Sequence, residues 1–149
     1  MTPEETRKKA LSLLERRDYG SAELAAKLVD KGAEPDDAQS VVRYMIRVGF
    51  IDDERYAAMV ARHYAAKGYG ASRIKQELRR HGVSRELWDE AMSQMPEQDE
   101  YLARFLRSRL SDPGDRAQVK KVSDALFRRG YSWDQIKHAL NEFDTQGDY

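Results

Sequence analysis

The sequence predicts an all-α protein: three tandem three-helix repeats, helix-turn-helix-like units, in an elongated, curved arrangement. Three observations predict it. First, the pattern apolar-x3-Leu-x3-Gly is written three times, as Leu24/Leu28/Gly32, Ile74/Leu78/Gly82 and Val122/Leu126/Gly130, with the glycines 50 and 48 residues apart. Second, no run alternates with period two for long enough to form a strand; "VGFIDD" comes nearest, and Gly49 with two aspartates makes it a turn. Third, 35% of the residues are charged and 40% hydrophobic, a load that suits helices with solvated faces around small cores.

The first unit, residues 1–53, opens on "TPEE". Thr2 is placed to cap a helix, Pro3 to occupy its first position and Glu5 to close a capping box. Tyr19-Gly20 marks a turn, Leu24 and Leu28 face inward on a second helix, and Gly32 ends it. Ala38 and Val41-Val42 then fall six, nine and ten residues past that glycine, as Trp88, Ala91-Met92, Ile136 and Ala139-Leu140 do in the later units.

The second unit, residues 54–96, follows a cap at Asp52. Tyr56, Met59, Val60, His63 and Tyr64 recur at helical spacing, and Gly68 and Gly70 break that helix. Ile74 and Leu78 line the second helix as far as Gly82. Ser84 is placed to cap a third, with Leu87, Trp88, Ala91 and Met95 inward. The third unit, residues 97–149, replaces the Tyr-Gly turn with "SDPGD" and reuses the capping box as Ser132 with Gln135. A unit of about 45 residues buries too little surface to stand alone. The short joints "IDDE" and "MPEQDE" therefore predict units in contact with their neighbours.

Charge is unevenly spread over a chain whose formal net charge is zero. The three units sum to −2, +3 and −1, and between residues 55 and 85 eight cations oppose Glu77 alone. A face of like charge forgoes the pairing that helices ordinarily use, which points to an acidic partner, either phosphate or a carboxylate-lined protein groove.

Catalysis finds no support. There is no Cys, the three histidines lie in different helices without metal-ligand spacing, and "GYGASR" lacks the strand and the Lys of a phosphate loop. No catalytic residue, metal ligand, cofactor or small-molecule substrate is expected. No apolar run approaches the roughly 20 residues that cross a bilayer, and the first turn has no signal-peptide character. A cytoplasmic protein without a membrane partner is expected.

The stretch "GFIDDERYAAMVARHYAAKGYGASRIKQELRRHGVS", Gly49 to Ser84, resembles the RecX family, regulators of the bacterial recombinase RecA. The likeness continues through "ERRDYGSAELAAKL" upstream and "VKKVSDALFRRGYSWDQIKHAL" downstream. The resemblance implies tandem three-helix units and a regulator that lodges in the groove of the RecA–DNA filament. There it would inhibit the recombinase and its ATPase in homologous recombination and the SOS response. The partner-binding residues it implies are Arg55, Arg62, Lys67, Tyr69, Arg73, Lys75, Arg79 and Arg80. The basic middle repeat also admits single- or double-stranded DNA as a partner.

The alternative is a helix-turn-helix DNA-binding protein. Against it, the helix that would read the groove, "SRELWDEAMSQM", carries Glu86, Asp89 and Glu90.

Overall fold

The structure, a computed structural model, describes residues 1–95 and 97–147, with side chains through Phe143. Pro96, within the predicted joint "MPEQDE", and residues 148–149 lie outside the described residues. Every regular element among the described residues is helical: α1 (Pro3–Arg16), α2 (Ser21–Asp30), α3 (Pro35–Arg47), α4 (Asp53–Ala66), α5 (Ala71–Arg80), a 3-10 turn (Arg85–Leu87), α6 (Trp88–Ser93), α7 (Asp99–Arg109), α8 (Arg116–Arg128) and α9 (Trp133–Gly147).

The predicted start signals act locally, with exceptions. Thr2 Oγ1 accepts the amide of Glu5, Asp52 Oδ1 that of Arg55, and Ser132 and Gln135 exchange reciprocal bonds. Ser84 is the exception: its hydroxyl turns to Glu86, and the third helix of unit two begins as a 3-10 turn and runs only to Ser93. His63, placed inward by spacing, is exposed.

The middle helix of each unit closes in the same way. The amides of Gly32, Gly82 and Gly130 bond back to Val29, Arg79 and Phe127, and those of Ala33, Val83 and Tyr131 reach Leu28, Leu78 and Leu126. This closure needs a left-handed residue, and the three glycines sit at φ of 108°, 73° and 103°.

The main helix packing lies within units: α1, α2 and α3 close over one apolar cluster, α4, α5 and α6 over a second, and α7, α8 and α9 over a third. The accessible surface is 9794 Å². A compact monomer of this mass would expose about 7,800 Å², so the units are strung out rather than gathered round one core.

What joins the units is largely polar, with different partners at each joint. At the first joint Asp53, set last in unit one by the sequence division but the first residue of α4, accepts the amide of Ser21 at 2.7 Å and its hydroxyl as well, and the Tyr56 hydroxyl donates to Glu23 at 2.9 Å. At the second, the amides of Gly70 and Ser72 donate to the carbonyls of Arg129 and Gly130, and Tyr131 Oη donates to Gly68. In both joints the glycine closing a middle helix abuts the start of the preceding unit's middle helix. A Cβ on Gly82 would lie 3.2 Å from the Cβ of Ala22 and 3.8 Å from the amide of Glu23; one on Gly130 would lie 2.5 Å from that of Arg73, the matching residue one unit on. The middle helices thus stack end to end, α8 on α5 on α2, each C-terminus facing an N-terminus as the helix dipoles favour.

Candidate functional site

The eight residues singled out from the sequence all lie on unit two, and the structure divides them among three settings. Arg55 and Arg62, seven residues apart on exposed positions of α4, line an open groove of about 630 Å³ between that helix and α6. Glu54, Glu86 and Glu90 line the same groove, so this cationic edge is tempered by carboxylates.

The second setting is the joint with unit three. Tyr69 is half-buried there, with the guanidinium of Arg73 at 4.6 Å from its ring and that of Arg129 at 5.1 Å. Arg129 also donates to the carbonyls of Lys67 and Gly68 and lies over Tyr101, which stacks on Tyr131. Gln98 Nε2 donates to the carbonyl of Tyr69 at 2.6 Å. Lys67 itself caps the end of α4, its ammonium 5.6 Å from the ring of Tyr64. Tyr69 and Arg73 therefore hold two units together. Arg129 was not singled out from the sequence; only its place beside the third glycine could have flagged it.

The third setting is the outer face of α5. Ile74 and Leu78 are fully buried, and so is Glu77, which accepts Arg73 Nε at 3.1 Å and Arg80 Nη1 at 3.4 Å. Burial pushes the Glu77 carboxyl up, but the hydrogen bond from Arg73, the neighbouring Tyr64 hydroxyl and the charge of Arg80 outweigh it and hold the group below the usual carboxylate range. Its Oε2 is buried without a hydrogen bond, 4.0 Å from His81 Nε2. His81 in turn meets the hydroxyls of Tyr56 and Tyr64, and burial raises the pKa of both phenols. Glu77 is thus buried against its own helix's arginines, and His81 beside it meets α4 next to the first joint.

Lys75 and Arg79, one turn apart on α5, are exposed and make no ion pair among the described residues. Arg79 lies 5.5 Å over the buried indole of Trp88, and Arg85, from the 3-10 turn, 5.9 Å over the same ring. The indole nitrogen is itself held by the carbonyl of Val83 at 3.0 Å. Two exposed guanidinium groups are thereby set against a fixed aromatic surface. This arrangement suits recognition of carboxylate or phosphate on a partner.

No group of three or more His, Cys, Asp or Glu able to hold a metal occurs among the described residues, and none of their helices is long and apolar enough to cross a membrane. The helix that would enter a DNA groove, α6, spans six residues and exposes Asp89 and Glu90.

Comparison with known proteins agrees with the repeat. Residues 7–45 match the family description "RecX, first three-helix domain" and residues 52–92 match "RecX, second three-helix domain". The chain is 36% identical to the regulatory protein RecX of Vibrio campbellii, over 89% of this chain and 87% of that one. It is 37% identical to the protein of that name from Xanthomonas axonopodis pv. citri, over 93% and 86%. The crystal structure of RecX from Lactobacillus salivarius superposes with a TM-score of 0.85 at 23% identity, covering 96% of this chain and 97% of that one, a likeness of fold.

Proposed function

From the premise that the chain belongs to the RecX family, we propose that it regulates RecA by lodging in the groove of the RecA–DNA filament and inhibiting the recombinase and its ATPase. The role is non-enzymatic and cytoplasmic, in homologous recombination and the SOS response, with RecA as principal partner and DNA within reach of the basic middle repeat.

One observation supports this reading above the others: the unpaired cations of α5, Lys75 and Arg79, stand on a rod of stacked units rather than inside a globule. Single contacts of exposed charges are each worth little, about 0.2–1 kcal/mol. A rod that places several units against successive protomers of a filament adds such contacts as avidity. A body bridging protomers also restrains the relative motions that accompany nucleotide turnover, which gives inhibition a mechanical origin. Arg55 and Arg62 contribute at the groove edge, where partner carboxylates compete with Glu86 and Glu90. Lys67, Tyr69, Arg73 and Arg80 act chiefly by holding the face in place.

The test is the DNA-dependent ATPase of RecA. Inhibition is expected at or below equimolar protein, and Lys75→Glu with Arg79→Glu should abolish it while helix content is kept. Those two positions are chosen over Arg80, because an acid at Arg80 would remove a cation from the buried Glu77 and destabilise the unit. An ATPase unchanged by the wild-type protein would refute the proposal.

A further inference from the structure

The triple repeat places one surface spot three times. The residues three before and three after each closing glycine are Val29 and Pro35 in unit one, Arg79 and Arg85 in unit two, and Phe127 and Trp133 in unit three. Their structural places match: the first of each pair is the penultimate residue of α2, α5 or α8, and the second opens α3, the 3-10 turn or α9. All six are exposed. At both joints the closing glycine faces the start of the preceding unit's middle helix, so the three spots recur at matching places in successive units.

The chemistry changes sharply from spot to spot. Unit one offers an apolar spot, with Val29 41% exposed. Unit two offers the two guanidinium groups on Trp88. Unit three offers Phe127 and Trp133, 49% and 45% exposed, stacked on each other at 4.6 Å and 11°. Two half-exposed aromatics in contact are costly to leave in water, and clustered aromatics of this kind are typical anchors of protein interfaces.

We propose that the three spots are one contact track and that the Phe127–Trp133 stack is its anchor, seated in an apolar cleft of the filament protein while Arg79 and Arg85 meet acidic side chains one repeat away. This rests on the reading of the chain as a filament regulator and adds to it the face presented and the role of the third unit. A protein cleft is favoured over stacked nucleotide bases on two grounds. The rings already cover one face of each other, and the matching spot of unit one, Val29 with Pro35, offers nothing on which a base would stack.

Co-sedimentation of the full chain with RecA filaments assembled on single-stranded DNA tests it. Phe127→Ala with Trp133→Ala should weaken binding about 30-fold or more, as loss of an interface anchor does, with helix content unchanged. Trp133→Phe should retain most of the affinity. If the double variant loses helix content, Trp133→Ala alone decides: a loss of at least about fivefold supports the track, and unchanged affinity overturns it. Wild-type protein that pellets with filaments while the folded double variant pellets equally would overturn the track and leave the filament reading standing. Wild-type protein that does not pellet would overturn both. Binding of a labelled single-stranded oligonucleotide alone at physiological salt, lost in the double variant, would assign the stack to bases and overturn the protein cleft.

Discussion

Glu77 lies inside the second unit with Arg73 reaching it from one turn before and Arg80 from one turn after. Its carboxyl is held below the ordinary value in spite of burial, so it stabilises the fold above the ordinary carboxylate range, and that contribution is lost as pH falls through the lowered value. Glu77→Gln should therefore cost about 1–2 kcal/mol near neutrality, the charge being shared with a half-buried Arg73 and an exposed Arg80. It should also flatten the acid limb of a denaturation midpoint followed from pH 6 downward. An unchanged acid limb would remove Glu77 from this role. The sequence shows Glu77 as the one acid opposing a run of cations; that it is buried appears only in three dimensions. What spacing does not show is that two of the counted cations, Arg73 and Arg80, are spent on it, leaving Lys75 and Arg79 to face outward.

At the scale of elements, glycine is the punctuation that made the repeat legible, because only a left-handed residue closes these helices. The three closing glycines nonetheless differ in surroundings. A Cβ on Gly32 meets nothing within 4 Å, whereas one on Gly130 meets the backbone of α5. Gly32→Ala should cost only the strain of its positive φ, about 1–2 kcal/mol. Gly130→Ala should add a further 1–3 kcal/mol, roughly, and open the second joint. Thermal unfolding compares them, and equal losses would contradict the account. The third helix of unit two was less legible. A serine three residues before an acidic, apolar run reads as a cap, but its hydroxyl serves Glu86 and the helix starts late. The "SDPGD" segment shows the converse: at the place of Gly20 and Gly70 stands Asp115, whose side chain caps the amides of Ala117 and Gln118. The amides that unit two gives to its neighbour are in unit three satisfied internally.

For the whole molecule, short linkers predict touching units, and the structure supplies the touching groups: Asp53 on Ser21, Tyr56 on Glu23, Arg129 and Tyr131 on the turn of unit two. Asp53 reads from the sequence as a second helix-starting acid beside Asp52, since a contact 32 residues away leaves no local pattern. The same holds for Tyr69 and Arg73, whose role at the second joint depends on a partner some 60 residues distant. Local signals therefore show units and their helices, while the joints, and with them the sharing of cations between structure and surface, appear only in three dimensions. The proposed function puts this rod of stacked three-helix units in the groove of the RecA filament with its α5 face inward. Helical reconstruction of RecA–DNA filaments saturated with the protein decides it. The account predicts groove density for a chain of helical units touching more than one protomer, with Lys75 and Arg79 against the filament; density confined to the outer surface, or contact through one unit turned the other way, would contradict it.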